Sequence, residues 1–242
     1  MNIAVLLLTL NRSNLTKQVI DRNLHNAGYN ADCFLMDAGS SDEEFSAIQK
    51  YYNWHYAFHN RSKPKGIAAI VNAGLSITRK YDGVVLMAND ILLPDNWLSN
   101  CITFTKHVSK TGIIGFHCVE ELPPLVDGVH KTHTPFGDNF LTRDLIEDIG
   151  GYNLEYDPYG MQDRDYAERA TIKGYTNYYL PDMRSEHIGH DVGNNTEYRR
   201  MKDESLQRAQ AVWEKYQIIY HEQKATYADI SVDKQEFWRR VP

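Results

Sequence analysis

From Ile3 to Leu8 every position is apolar, and the run stops at Thr9 and the polar pair Asn11-Arg12. An apolar run without alternation predicts a strand covered on both faces, as in a parallel sheet. Asp32–Met36 and Gly83–Met87 repeat the pattern, and each is followed by a polar group, Asp37 to Asp42 and Asn89-Asp90. The segments between them have helical spacing. Ser13 or Asn14 caps a helix running to about Ala27, where Gly28 ends it. A second helix passes through Phe45 and Tyr52, and a third covers Gly66 to Arg79, with Trp54–Phe58 as a short strand between them. Strand and helix alternating in this way predict an α/β fold with a mostly parallel central sheet flanked by helices. Ligands of such sheets lie beyond the carboxyl ends of the strands, where the three polar groups gather.

The second half is less regular. Gly112–Phe116 reads as a strand, and Thr142–Ile149 as a helix stopped by Gly150-Gly151. Asp163–Lys173 reads as a helix stopped by Gly174, and Tyr198–Tyr220 as a helix with Trp213 and Tyr216 on its apolar side. No repeat, low-complexity tract or linker breaks the 242 residues, which predicts one domain.

Composition narrows the class of partner. A net charge of -6 gives no general attraction to nucleic acid or to an anionic membrane. No stretch reaches the ~20 apolar residues of a transmembrane segment, and the opening apolar run lacks the basic start of a signal peptide. Cys33, Cys101 and Cys118 form no CxxC pair and read as buried thiols of a reducing compartment. The expected location is the cytoplasm.

Six segments carry chemistry. They are TLNR at 9–12, DAGSSD at 37–42, KGIAAIVNAGL at 65–75, ANDILLPDNW at 88–97, GGYNLEYDPYGMQDRDYAERA at 150–170, and the histidine of SEHIGHD, His187. In this order they resemble family 2 glycosyltransferases with the GT-A fold, over roughly Ile3 to His190, and the compact length is similar to phage or bacterial members. The resemblance implies a nucleotide-sugar-binding half at about 1–97, an acceptor and catalytic half at about 98–200, and a C-terminal helical extension at about 201–242. It implies an inverting hexosyl- or pentosyltransferase that takes its sugar from a nucleotide diphosphate, with UDP-sugar as the expected donor.

The same resemblance assigns roles to residues. Thr9, Asn11, Arg12, Asp37, Gly66, Asn72 and Asn89 would bind the nucleotide-sugar, Asp37 by accepting the N3 hydrogen of uracil. Asp37 and Ser40 are equally the cap of the following helix. Asp90 matches the last residue of the family's Asp-x-Asp signature, here reduced to Ala88-Asn89-Asp90, and Pro94 and Trp97 also match. With His187 it would hold Mn²⁺ or Mg²⁺, a hard ion that neutralises a diphosphate leaving group. A mixed nitrogen and oxygen ligand set favours Mn²⁺. His190 is the neighbouring alternative ligand. Asp163 of Gln162-Asp163-Arg164-Asp165 matches the general base, with Gln162 replacing the family's Glu. At a helix start an acid also complements the helix dipole, and Asp165 suits that task better. Arg61 and Lys65 lie where they could approach the diphosphate or remain solvated.

His187-Ile188-Gly189-His190 also spells a signature of class I aminoacyl-tRNA synthetases, but it does not follow a first strand and has no lysine-rich partner loop. A Gly-rich, Arg-bearing loop, as in sugar nucleotidyltransferases, is missing after the first strand. Retention of Asp37, Asp90, Asp163 and His187 together favours an enzyme over a non-catalytic nucleotide-sugar-binding protein, because binding alone needs no base. The expected acceptor is a saccharide or glycolipid. The runner-up is a hydroxymethylated base in phage DNA, compatible with Arg199-Arg200-Lys202, Arg239-Arg240, Tyr198 and Trp238.

Overall fold

The computed structural model describes residues 1–61, 66–116, 122–189 and 196–223. The first half is β1 (Ile3–Thr9), α1 (Ser13–Val19), β2 (Asp32–Asp37), α2 (Asp42–Gln49), β3 (Tyr56–His59), α3 (Ile67–Ile77) and β4 (Gly83–Ala88). The rest is β5 (Ile91–Leu92), α4 (Trp97–His107), β6 (Thr111–Gly115), β7 (Leu125–Val126), β8 (Val129–Thr132), β9 (Asn139–Thr142), α5 (Arg143–Ile149), α6 (Gln162–Ile172), β10 (Thr176–Tyr179), β11 (Glu186–His187) and α7 (Thr196–Gln223). The main sheet has the order β3-β2-β1-β4-β9-β6-β10-β8-β7, and β5 pairs with β11 apart from it.

Burial explains the apolar runs. Along β1, Ile3, Val5 and Leu7 face a core shared with Val19, Phe45 and Trp97, while Ala4 and Leu6 face another shared with Val71, Leu75 and Leu145. The strand is therefore covered by helices on both sides, and each buried side chain contributes about 1.5–3 kcal/mol. β1 pairs in parallel with β2 and with β4, and β2 with β3. The chain thus reverses its direction of winding between β1 and β4, which opens a crevice at their carboxyl ends.

The second half departs from a mostly parallel sheet. β9 runs antiparallel between β4 and β6, and β8 runs antiparallel to β10. Helix α4 was not expected either. Its Ser, Asn, Thr and β-branched residues are weak helix formers, but Trp97, Leu98, Cys101 and Ile102 are buried together on one face. Tertiary burial decides here. The expected single helix from Ser13 to Ala27 ends at Val19 and continues as one wider π turn over Ile20–Leu24. Its first turn has no side-chain cap of its own, because the Glu44 carboxylate of α2 accepts the Ser13 N–H at 2.6 Å.

Helix α7 packs Ala209, Trp213, Tyr216 and Tyr220 onto Tyr156, Met161 and Ile172. Cys33 and Cys101 are buried thiols, and burial pushes Cys33 up to about 11. Cys118, His190, Lys65, Arg239 and Arg240 lie outside the described residues. No helix among the described residues is long and apolar enough to cross a membrane.

Candidate active site

A cleft of about 810 Å³ opens at the crevice between β1 and β4, lined among others by Thr9, Asn11, Arg12, Asn89, Asp90, Asp163 and His187. Seven of the residues singled out in the sequence therefore meet in one space. The loops after β1 and β4 are locked together by Asn89, whose Nδ2 donates to the Asn11 carbonyl and to Thr16 Oγ1, each at 3.1 Å. Asn11 and Arg12 are both left-handed, with φ of 55° and 60°. The sharp turn this makes brings the Arg12 guanidinium back to Asp90, with Nη1 2.8 Å from Oδ2.

His187 Nε2 lies 3.3 Å from the same Asp90 Oδ2. A two-stranded ladder makes the meeting possible. β5 pairs antiparallel with β11, placing His187 opposite Ile91, and Ile188 N–H donates to the Asp90 carbonyl at 2.9 Å. Gly189 completes the fit, since a Cβ there would stand 2.3 Å from Asp90 Oδ2. Behind β5, buried Asn23 of the π turn accepts from Leu93 N–H at 2.8 Å and donates to the Ile91 carbonyl at 2.9 Å. The wider turn thus serves to clamp the segment that carries Asp90.

Among the described residues no three His, Cys, Asp or Glu side chains converge as a metal cage. The two that do converge, one carboxylate and one imidazole, suit a divalent ion that keeps positions for phosphate oxygens and water.

Asp163 enters the cleft from the first turn of α6. Burial pushes its carboxyl up to about 7, against a hydrogen bond from the Tyr152 hydroxyl that pulls it down. Tyr152 is itself fixed. It stacks on Tyr166 with ring centroids 4.5 Å apart, and its backbone N–H and carbonyl are gripped by the Asn72 amide at 2.7 and 2.8 Å. Gln162 also has a physical account: Oε1 accepts from Gly160 N–H at 2.7 Å while Nε2 reaches the Tyr156 carbonyl at 3.5 Å. An ionised Glu could accept there but not donate.

Three expected nucleotide contacts have other partners. Asp37 is wholly buried and does not line the cleft. Its Oδ1 accepts Gly39 and Ser40 N–H at 2.9 and 2.8 Å, and its Oδ2 accepts the Thr9 hydroxyl at 2.7 Å and the Ser40 hydroxyl. Asn72 holds Tyr152, as above. Gly66 lets the Asp157 carboxylate approach, which caps α3 by accepting Ala68 and Ala69 N–H at 2.8 and 3.1 Å. Arg61 is paired with Asp42 at 3.0 Å. Asp165 is no surface acid complementing a dipole: it is buried, bonded to Arg169 at 2.8 Å and to the hydroxyls of Tyr156 and Tyr220 at 3.3 and 2.5 Å.

The sequence profile of glycosyl transferase family 2 matches residues 4–206. This chain belongs to that family. Compared with curated proteins, its sequence matches none. Its fold is the GT-A fold of several solved structures. The mannosyltransferase PcManGT from Pyrobaculum calidifontis, in complex with GDP-Man and Mn²⁺, superposes with a TM-score of 0.60 at 19% identity, over 79% of this chain and 58% of that one. TarS of S. aureus, residues 1–349 with UDP-GlcNAc, gives 0.61 at 14% identity, over 77% and 58%. GalNAc-T7 with UDP, GalNAc and Mn²⁺ gives 0.62 at 12%, over 78% and 44%. The chain thus spans less than two thirds of the length of each.

Several residues were not expected in the cleft, Lys202 among them, which the sequence suggests only for a nucleic-acid contact. Tyr159 and Lys202 stand together at the cleft, the ammonium 4.5 Å from the ring centroid, so α7 reaches the site. Asp138 and Asn139 line the cleft from the start of β9. They lie in no motif, and only the unexpected antiparallel strand brings them there.

Proposed function

We propose that this glycosyltransferase is an inverting enzyme that transfers a sugar from a nucleoside diphosphate donor to an acceptor hydroxyl, with Asp163 as general base. The observation that carries the reading is Asp163 itself, a carboxyl held near neutrality in the same cleft as the Asp90–His187 pair. A general base works best with a pKa near the working pH. The acceptor oxygen attacks the anomeric carbon and gives its proton to Asp163, while the bond from that carbon to the diphosphate oxygen breaks. Inversion follows from attack opposite the leaving group.

Asp90 and His187 would hold Mn²⁺ or Mg²⁺, which supplies positive charge to the diphosphate as it leaves. Arg12 and Lys202 add charge of the same sign at the cleft. Residues 1–97 contribute the two strand-end loops, residues 98–200 contribute Asp163 and His187, and the extension from 201 contributes Lys202. A uridine donor is supported by the family resemblance alone, which gives the N3–H to Asp37 at the end of β2. To accept it, the buried Asp37 Oδ2 must give up the Ser40 or Thr9 hydroxyl, and the Ser40 oxygen is itself held by the Asn11 N–H at 2.6 Å. The donors in complex with the solved relatives are GDP-Man and UDP-GlcNAc, so both bases belong in the test.

The acceptor is proposed to be a saccharide or glycolipid hydroxyl. Of the basic residues that suggested DNA, Arg200 lies 3.6 Å from Glu204 and Lys202 turns to Tyr159. Single-turnover transfer from α-linked UDP- and GDP-sugars, followed by NMR of the product, tests the reading. A β-linked product is expected, and an α-linked one overturns the assignment of inversion.

A further inference from the structure

Two oxygens at the cleft are left over when every described hydrogen bond is assigned. Asp138 is 1% exposed; its Oδ1 accepts Ala88 N–H at 2.7 Å, and its Oδ2 has no partner among the described residues. Asn139, equally buried, donates Nδ2 to the Gly137 carbonyl at 3.0 Å and leaves Oδ1 without a partner among the described residues. The Gly137 carbonyl can only accept, so the amide orientation is fixed and the spare atom is the oxygen. Buried acceptors are normally satisfied, and two neighbouring exceptions that both line a cleft point to a ligand.

The backbone is fixed at both positions. Phe116 N–H donates to the Asp138 carbonyl at 3.1 Å, and Asn139 is paired with Leu86 and with Gly115 in the sheet. Asp138 shares the cleft with Asp90 and Asp163, the two acids that the proposed function sets at the diphosphate and the anomeric carbon. Burial raises its carboxyl well above the ordinary range, and those two acids add to the effect. A hydroxyl both donates and accepts, so it satisfies this carboxyl in either protonation state while also donating to Asn139. A carbonyl or phosphate oxygen carries no proton to donate to Asn139 Oδ1.

We infer that Asp138 Oδ2 and Asn139 Oδ1 receive hydroxyl groups of the donor's sugar ring, and that Asp138 selects which sugar the cleft accepts. The inference rests on the nucleotide-sugar reading above. A site built to bond a hydroxyl rejects analogues that lack it, because its own buried groups are then stranded.

The test is a double-mutant cycle between Asp138→Ala, which removes every hydrogen-bonding atom of the side chain, and the sugar. Wild type and variant are titrated by calorimetry with UDP-glucose, UDP-galactose, UDP-GlcNAc and GDP-mannose, with free UDP and GDP, and with the 2-, 3-, 4- and 6-deoxy forms of the best-bound donor. One deoxy position is expected to cost the wild type roughly 10- to 100-fold in affinity, because a buried oxygen is then left without a partner. The same change should cost the variant little, while the free nucleotide binds both proteins alike. If Asp138→Ala does not fold, Asp138→Ser, too short to reach the sugar but able to bond the Ala88 N–H, takes its place in the cycle. A wild type indifferent to every deoxy donor, or losses that simply add in the variant, overturns the inference and leaves the nucleotide-sugar reading standing. Failure of the wild type to bind any donor or nucleotide overturns both.

Discussion

Asp90 and His187, far apart in the chain, place Oδ2 and Nε2 3.3 Å apart because the short β5–β11 ladder sets them side by side. The carboxylate sits at the end of a buried parallel strand, and the histidine arrives on the last strand of the described fold. Neither could be predicted to meet the other from spacing alone.

This contact makes a metal prediction. Mn²⁺ is expected to strengthen nucleoside diphosphate binding to the wild type and to leave Asp90→Ala unaffected, as measured by calorimetry. For His187→Ala the Mn²⁺ affinity, read by EPR, should fall by at least the roughly 10–100-fold that loss of an outer-sphere partner costs. Undiminished sugar transfer in excess chelator would remove the ion from the mechanism.

Gly189→Ala tests the ladder without touching a ligand. The added methyl collides with the Asp90 carboxylate, which must move away from His187. Thermal unfolding should change little, while the Mn²⁺-dependent gain in nucleotide affinity shrinks. An unchanged gain would mean that Asp90 does not need its present position.

Asp163→Asn should bind donor but transfer sugar roughly 10²–10⁴-fold more slowly, the usual worth of a general base. In the wild type kcat/KM should rise with pH through about 7, as the carboxyl loses its proton, and the variant should lack that limb. Stability gives an independent check. A carboxyl raised by folding is unpenalised below its unfolded pKa near 4 and destabilises progressively from there to about 7. The melting temperature of Asp163→Asn should therefore gain on the wild type across that window and hold the lead above it. Identical pH dependence in the two proteins would contradict the raised carboxyl.

Asp165→Asn serves as the contrasting variant. It leaves Arg169 charged and buried beside the Ile149 and Gly151 carbonyls. Breaking such a pair costs about 3–5 kcal/mol, which for a chain of this size lowers Tm by roughly 10 °C. Transfer per folded molecule should stay within a few-fold of wild type (~3-fold), far above Asp163→Asn. A normal Tm with lost transfer would exchange the roles of the two acids.

The parts of the fold that were legible are those whose local pattern and burial agree. β1 is apolar from Ile3 to Leu8 and β4 throughout because both their faces are covered. Gly150 and Gly174 adopt the positive φ expected of residues that end helices, whereas Gly28 has that φ beyond a helix that has already ended at Leu24. Helix α4 was hidden because its residues favour other conformations and only the core selects the helix. In the site, Asp90, Asp163 and His187 converge, as residues with a chemical reason to be where they are. Asn72 and Gly66 illustrate the opposite case. Their positions were visible, but the partners that fix them, Tyr152 and Asp157, come from the other half of the chain. Asp138 had no signal at all, since a single acid before a short strand acquires meaning only when its second oxygen is found without a partner.

The long helix α7 gives the cleft a place in time. Lys202 reaches Tyr159 from the first turns of that helix, and the Tyr220 hydroxyl near its far end completes the shell around Asp165. A ribosome emits β1 and its loop well before α7, so the cleft gains Lys202, and Asp165 its Tyr220 hydroxyl, only when that helix has emerged and docked. Nascent chains stalled before α7 hold Asp90 without Lys202 in the cleft, so donor capture should strengthen once the helix is out.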